Sequence, residues 1–391
     1  MSPGVAAIGV VGTGELGTCF VERFCSQGHE VWAFDLDDQA LGRARAAGAR
    51  AASGPAQLAA QCSVVVTCVT GPDNVLDCAL GPGGLSAVAG PEHLVIETTT
   101  SLPGTTRSLA KQLGERGTTV VDAPVSRGIP AARQGELSVM VGGGPHGTVR
   151  AWPYLAALGT DIVHVGTIGT GHAVKLVNMM LMGVHLVAAS EAIGRGARLG
   201  VEPGEVVAAL ASSTSASYMT KVHLPRYVIG GTFDSGFRLQ LMAKDLRLAR
   251  QMADDLGFGI LSLNAACEVF ERACTALPAE ADNMLVVPYI SGLAAGLNDT
   301  EAAAAAIAGC LPQRAPVGPD GRSAALRQLD SAVTAANRAA TGEAARLLKS
   351  AGVDREAGFS VIDVSSGASY WTTCPPWDED ARRDPPGEEM P

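Results

Sequence analysis

The sequence predicts a doubly wound α/β domain followed by an all-α helical domain, and three observations predict it. A G-x-G-x-x-G turn, Gly12-Thr13-Gly14-Glu15-Leu16-Gly17, stands directly after the apolar run from Ala6 to Val11. Short apolar, β-rich runs then alternate with helix-compatible stretches as far as about Val165, the pattern of a parallel sheet with crossover helices. Beyond Gly171 the chain changes to long Ala-, Leu- and Met-rich segments of helical period.

The first elements build a nucleotide site. Gly12 permits a tight turn, Gly14 lets the backbone approach a pyrophosphate, and Gly17 lets the next helix lie close to its strand with its N-terminus toward the phosphates. Gly12, Gly14, Leu16 and Gly17 are therefore the candidate cofactor-loop residues. A helix over Cys19 to Gln27 and a second strand Val31–Phe34 follow, and Asp35 ends that strand roughly 20 residues after the turn, as the dinucleotide fingerprint requires. The reading is a Rossmann-type domain. The Asp35 carboxylate can accept hydrogen bonds from the adenosine ribose hydroxyls. Asp37 and Asp38 add negative charge where a 2′-phosphate would sit, and no Arg or Lys follows before Arg43, so NAD is favoured over NADP.

Later strands are expected at Val64–Val69, Leu94–Glu97, Thr119–Asp122, Ser138–Val141 and Ile162–Val165. The first long helix runs from about His172 to Leu199, and everything from there to about Trp371 reads as helical. This second half holds an internal repeat. When Glu191 is laid on Glu343, Gly200-Val201 falls on Gly352-Val353 without a gap, and Ser213-Thr214-Ser215-Ala216-Ser217-Tyr218 falls on Ser365-Ser366-Gly367-Ala368-Ser369-Tyr370. The second copy stops short, since nothing after Thr372 matches the later helices of the first. Gln313 to Gly321 reads as a linker and Ala302 to Ala306 as helix former. The expected domains are an NAD-binding domain over 1–167, a helical substrate and closure domain over 168–311, a partial second helical copy over 322–372, and a Pro- and acid-rich tail over 373–391, where no packed element is expected.

Composition sets bounds on function. The chain has 391 residues, 47% of them hydrophobic and 17% charged, which calls for more than one core. A formal net charge of -10 without a Lys/Arg cluster argues against a nucleic-acid partner, and a small anionic substrate has to be held by local groups. The N-terminus lacks a basic leader and no apolar run is expected to reach membrane-spanning length, so a cytoplasmic location without a membrane partner is expected. The 9 cysteines show neither a CxxC pair nor metal-ligand spacing with His. They read as reduced packing residues, and no metal is expected.

Three stretches are candidates for chemistry. Lys175 and Asn178 lie at i and i+3 near the start of the long helix, so both leave one face. A lysine there can exchange the hydroxyl proton of an alcohol that gives up hydride, with the asparagine holding the lysine or the hydroxyl in line. A lysine on the solvated face of an amphipathic helix fits the same spacing. Asp122-Ala123-Pro124-Val125-Ser126-Arg127-Gly128 follows a strand, at the sheet edge where open α/β folds bind ligands. Ser126, with the backbone N–H groups of Arg127 and Gly128, can cradle a carboxylate; Arg127 either adds a two-pronged contact to an anion, or points outward or to the pyrophosphate. Thr98-Thr99-Thr100 is another strand-end loop with hydroxyls, equally able to cap the helix that starts near Pro103.

Taken together these stretches resemble the β-hydroxyacid dehydrogenase family, which includes 3-hydroxyisobutyrate dehydrogenase, with 6-phosphogluconate dehydrogenase as a longer relative. Five motifs match in order: the Gly12 to Gly17 loop, Glu97-Thr98-Thr99-Thr100-Ser101-Leu102-Pro103, Asp122 to Gly144, Gly169-Thr170-Gly171 through Lys175 and Asn178, and Phe237 to Ala249 with Met242-Ala243-Lys244-Asp245-Leu246. The resemblance spans about residues 5 to 285. It implies an NAD-dependent oxidoreductase moving hydride between the nicotinamide and a small 3-hydroxy acid. Lys175 would be its general acid/base, Asn178 its support, Ser126 and Gly128 the carboxylate anchor, Thr100 and Lys244 contacts near the nicotinamide, and Asp245 a partner holding the Lys244 helix.

The chain departs from the family at two places. The usual Ser-Gly-Gly is Ser126-Arg127-Gly128, which suggests a more strongly anionic substrate, and the usual Asn-Asn is Asn178-Met179. The repeat fits the resemblance, since 6-phosphogluconate dehydrogenase has a duplicated helical region where shorter relatives use a partner subunit. A homodimer stays open and a monomer becomes credible. In the second copy Lys175 falls on Arg327 and Asn178 on Asp330. An imine reductase, which shares the two-domain plan, and a non-catalytic dinucleotide-binding protein are the alternatives. Lys175 argues against the first, and the joint presence of Lys175, Asn178, Lys244 and Asp245 against the second.

Overall fold

The computed structural model describes residues 7–292 and 319–373. The Ala302 to Ala306 stretch, most of the expected linker and the C-terminal tail fall outside those residues. Pro319 to Gly321, the end of that linker, forms the first turn of a helix.

The described chain divides into two compact units, one drawn from residues up to Leu176 together with Leu348–Val364, the other from Val177–Leu347 and the residues after Val364. The first unit is built on a 9-stranded sheet, β1 (Ile8–Val11), β2 (Val31–Phe34), β3 (Arg50–Ala51), β4 (Val64–Thr67), β5 (Leu94–Glu97), β6 (Thr119–Asp122), β7 (Val125–Ser126), β8 (Leu137–Gly142) and β9 (Gly159–Gly166). The order is β3-β2-β1-β4-β5-β6-β8-β7, with β9 on β8.

The central strands read IGVV, VVVT and LVIE and are buried along their whole length, because helices cover both faces. Alternate strand residues serve two cores. Val10, Val64, Val66 and Ile96 pack with Phe20 and Phe24 of α1 (Glu15–Ser26) and Leu155 of α7 (Pro145–Ala156). Val11, Val65 and Val95 pack with Leu58 of α3 (Pro55–Gln61) and with Leu109 and Leu113 of α5 (Pro103–Gly114). A period of 2 along each strand thus gives the doubly wound layering.

The sheet is not wholly parallel, which corrects one expectation. β8 runs antiparallel to β6 and β7, and β9 runs parallel to β8. Between β6 and β8 lie only the two-residue β7 and the seven-residue helix α6 (Gly128–Gln134), a returning connection rather than a crossover.

The long helix α8 (Thr170–Arg198) begins in the first unit and continues in the second. With mean hydropathy 1.6 in its most apolar window it is long and apolar enough to cross a membrane, contrary to the expectation above, but 83% of that window is buried inside the protein, as for a core helix. The second unit adds α9 (Pro203–Ala211), a π-helix over Met219–Ile229, α10 (Leu239–Asp255), α11 (Leu261–Ala276), α12 (Val286–Ser291) and α13 (Pro319–Ser350). After α13 the chain turns at Gly352, and Asp354 caps α14 (Arg355–Ile362) by accepting from Ala357 N at 3.0 Å. In the first unit α14 packs against β9 and buries Phe359, Val361 and Ile362.

Close backbone approach fixes one glycine of α8. A Cβ on Gly194 would lie 2.3 Å from the Ser291 carbonyl oxygen. Gly194→Ala is expected to destabilise by about 1–3 kcal/mol, because backbone must move to admit the methyl group. Gly42→Ala, on the exposed side of the helix Asp38–Ala46 with nothing within 4 Å, is expected to gain about 0.5–1 kcal/mol. Guanidinium unfolding midpoints of the two variants against wild type check both signs.

Candidate active site

In the first unit the glycine turn has the shape its sequence implies. Gly12 has φ +89°, and a Cβ on Gly17 would lie 2.0 Å from the Gly12 carbonyl oxygen, so α1 can start this close to β1 only with glycine there. A Cβ on Gly14 would meet nothing within 4 Å, which leaves open space above the turn. The N-cap residue of α1, Gly14, makes no side-chain cap, and Leu16 packs half-buried against the α1 core. Asp35 does more than end β2. Its Oδ2 accepts from Thr13 N at 2.6 Å and its Oδ1 from Asp37 N at 2.9 Å, so the strand-end acid also braces the glycine turn. Asp37 caps the next helix through Gln39 N.

The carboxyl ends of β5 and β6 carry Glu97 and Asp122, which are register partners and fully buried. The first turn of α8 docks onto them. Asp122 accepts from Gly169 N at 2.7 Å and from His172 N at 3.0 Å, filling the role of a cap for a helix start that has no side chain of its own to do so. Glu97 accepts from Thr99 N at 2.7 Å and from Thr67 Oγ1 at 3.3 Å.

His172, itself fully buried, closes the cluster. Its Nε2 faces only acceptors, Thr99 O at 2.6 Å and Glu97 Oε2 at 3.0 Å, and so carries a proton. Its Nδ1 lies 2.7 Å from Thr106 Oγ1, which also lies 3.3 Å from Leu102 O, and 3.7 Å from Asp122 Oδ2. Burial alone would lower the His172 pKa, but the neighbouring carboxylates of Glu97 and Asp122 outweigh it and raise it above the ordinary value. Burial likewise raises Asp122 above the ordinary carboxyl range, with His172 and the two backbone N–H groups opposing.

Lys175 lies one turn beyond His172 on α8 and is buried, so it is not a lysine of a solvated face. Thr100 is half-buried at the end of the Glu97 loop. Ser126 is buried on β7, in register with Ser138 of β8.

Arg127 and Gly128 both have positive φ, 85° and 74°. A left-handed conformation is unfavourable for arginine, which explains why glycine is usual there. The guanidinium is drawn into the first unit's own structure. Nε donates to Val364 O at 2.7 Å, and Nη1 donates to Glu136 O at 2.9 Å and lies 2.6 Å from Asp161 Oδ2.

In the second unit Asn178 is fully buried. Lys244 and Asp245 sit together on α10, Lys244 Nζ lying 2.9 Å from the Oδ1 of the buried Asp245. The structure therefore gathers the glycine turn with Asp35, and the Glu97 loop with Asp122 and the Lys175 turn. It engages Arg127 by Asp161 and backbone carbonyls. His172 was not singled out from the sequence, although one signal was present: a histidine one turn before the lysine, on a helix that must face two strand-end acids.

A glycine turn with a strand-end acid and a buried lysine at the carboxyl edge of the sheet define a dinucleotide-dependent dehydrogenase acting on CH–OH groups. Residues 7–166 match the family model described as the NAD binding domain of 6-phosphogluconate dehydrogenase, and residues 169–290 match the one described as NAD-binding of NADP-dependent 3-hydroxyisobutyrate dehydrogenase. The 2-(hydroxymethyl)glutarate dehydrogenase of Eubacterium barkeri is 30% identical over 68% of this chain and 88% of its own length. The L-threonate dehydrogenase of Cupriavidus necator is 31% identical over 73% of this chain and 96% of its own. The structure of Mycobacterium tuberculosis 3-hydroxyisobutyrate dehydrogenase with L-serine superposes with TM-score 0.68 at 25% identity, over 73% of this chain and 99% of that one. The chain belongs to the β-hydroxyacid dehydrogenase family and is an NAD(P)-dependent hydroxyacid oxidoreductase. Both matched regions end before α13.

The buried cluster makes stability depend on pH with a defined sign. A histidine whose folded pKa lies above its unfolded value stabilises fully below about pH 6.5, and that contribution is lost as pH rises through the folded pKa. The raised Asp122 acts in the same direction in a lower window, starting near the unfolded carboxyl value of about 3.9. The thermal midpoint is expected to fall as pH rises above neutral, and His172→Gln is expected to flatten that fall. Differential scanning fluorimetry from about pH 6 to 9 checks it.

Proposed function

We propose that the protein transfers hydride between NAD and the carbinol carbon of a small 3-hydroxy acid, interconverting it with a semialdehyde or keto acid. The observation that carries the reading is the docking of the first turn of α8 on Glu97 and Asp122, which sets the buried Lys175 at the carboxyl edge of the sheet. The cofactor fits the chain. The open space above Gly14, the uncapped start of α1 and the acid at Asp35 are what a pyrophosphate and a ribose require. When bound, the nicotinamide supplies the hydride acceptor or donor.

Lys175 takes the substrate hydroxyl proton during oxidation and returns it during reduction, with Asn178 as its support one turn along the helix. Ser126 and the backbone N–H groups around Gly128 anchor the substrate carboxylate. Thr100 and Lys244 belong to the nicotinamide end on the resemblance of their stretches to the family motifs, and the Lys244–Asp245 pair supports Asp245 as the holder of that lysine. The Asp35 carboxylate, with no cation before Arg43, supports NAD over NADP. Arg127 we read as a tie to the Val364 carbonyl rather than a substrate contact. Its charge is matched by Asp161, so it supplies no ground for a second anionic group on the substrate.

The test is nicotinamide absorbance over a panel of 3-hydroxyisobutyrate, L-threonate, L-serine and 2-(hydroxymethyl)glutarate, with NAD and NADP in parallel. Lys175→Ala is expected to lower kcat by about 10²–10⁴, and Lys175→Arg comparably, since guanidinium does not exchange its proton near neutrality. Asp35→Ala is expected to weaken use of NAD while improving relative use of NADP. Turnover unaffected by Lys175→Ala would overturn the reading.

A further inference from the structure

Both ends of the Asn178 carboxamide are held by residues near the end of the described chain. Gly367 N donates to Asn178 Oδ1 at 2.8 Å, and Asn178 Nδ2 donates to Ser366 Oγ at 3.1 Å. Gly367 comes so near that a Cβ there would lie 2.8 Å from both the backbone carbonyl oxygen and Oδ1 of Asn178. Neither residue belongs to a motif that the functional reading uses.

A related arrangement occurs with the roles exchanged. Ser213 and Ser215 both donate to Asp330 Oδ1, the second at 2.7 Å. Asp330 is the residue that falls on Asn178 in the sequence repeat, and Ser215 falls on Gly367. The two loops meet at an antiparallel bridge between Ser217 and Ser369, where Tyr218 N donates to Ala368 O at 2.8 Å and Tyr370 N to Ala216 O at 2.9 Å. Each loop closes in the same way, Ser217 N on Thr220 Oγ1 at 2.9 Å and Ser369 N on Thr372 Oγ1 at 2.8 Å. Contacts that map onto themselves when the partners are exchanged are the mark of a twofold interface, here formed within one chain. The chemistry differs only where the side chains differ. The carboxylate of Asp330 meets two hydroxyl donors, and the amide of Asn178 meets one N–H donor and one hydroxyl able to accept.

We propose that Ser366 and Gly367 are positioning residues for the reaction, through which the C-terminal helical segment orients Asn178 in cis. The proposal rests on the reading of Asn178 as the support of Lys175. A carboxamide can sit either way round at nearly equal steric cost, and its function depends on which end donates. The Gly367 N–H decides this. Turning the amide over would set Nδ2 against another donor, whereas Ser366 Oγ can serve either orientation. Oδ1 is thereby committed to Gly367, and Nδ2 is the end that donates. One of its hydrogens goes to Ser366, while the other faces, among the described residues, the Met179 thioether at 3.8 Å, a weak acceptor that a substrate hydroxyl or a lysine-bound water can replace.

The experiment compares Ser366→Ala, Ser366→Thr, Gly367→Ala, Asn178→Ala and Ser213→Ala, using whichever acid of the panel turns over fastest, with circular dichroism to establish folding. Ser366→Ala is expected to lower kcat about 3- to 10-fold with KM for the hydroxy acid nearly unchanged, and Ser366→Thr to restore it. Gly367→Ala is expected to lower kcat at least as far. Ser213→Ala, which cuts a bond to Asp330, the residue that falls on Asn178, is expected to leave kcat as in wild type. If Gly367→Ala does not fold, the Ser366 pair decides alone. Wild-type kcat in Ser366→Ala, with Asn178→Ala impaired, overturns the proposal and leaves the functional reading standing. Wild-type kcat in Asn178→Ala overturns the reading of Asn178 as the support of Lys175, and the proposal with it.

Discussion

The buried contact of His172 with Glu97 and Asp122 is the constraint on which the first unit depends. Two carboxyl groups at the ends of adjacent strands would repel each other in a medium where charge is poorly screened, and each would be costly to bury alone. The imidazole between them, its pKa raised by the two carboxyl groups, turns that liability into a joint together with backbone N–H groups from the start of α8. The helix cannot slide or rotate on the sheet without exposing an uncompensated charge. Lys175 is one turn along, so the joint fixes the turn that carries it.

Arg127 shows how a local irregularity and a distant segment can be coupled. The left-handed backbone there favours glycine, and an arginine in that conformation is held at an energy disadvantage on the order of 1–2 kcal/mol. Three polar contacts, one of them to the carbonyl of Val364, offset it. The departure from the Ser-Gly-Gly pattern and the presence of a C-terminal segment on the sheet are thus two sides of one arrangement. The expectation of an anion contact arose because a guanidinium beside a carboxylate cradle has the right chemistry, and sequence alone does not show that Asp161 lies closer.

The strands, the glycine turn, Asp35 and the long helix were legible because each depends on a local pattern, a period of 2 or 3.6 or a turn that only glycine allows. β2, β5 and β6 have the predicted bounds, for they are continuous apolar runs ended by polar residues. The antiparallel β8 and the two-residue strands β3 and β7 were not legible, since direction and pairing depend on partners far along the chain. Lys175 and Asn178 were singled out by their spacing together with the resemblance of their stretch to a family motif. His172, Ser366 and Gly367 were not, because what matters about them is whom they meet across the fold.

The composition of the first unit bears on how the chain is made. Its sheet is complete by residue 166, but α14, which packs on β9, lies almost two hundred residues later. As the chain leaves the ribosome from its N-terminus, the sheet domain must wait, with one face of its last strand lacking its native cover, until the whole helical unit has been synthesised. Closing so long a loop costs little more than closing a short one, because the entropy grows only logarithmically with length. The delay is therefore one of time rather than of free energy. Maturation of the nucleotide-binding unit is tied to arrival of α14, and a chain cut short before it by premature termination would carry an intact glycine turn on a sheet lacking that cover.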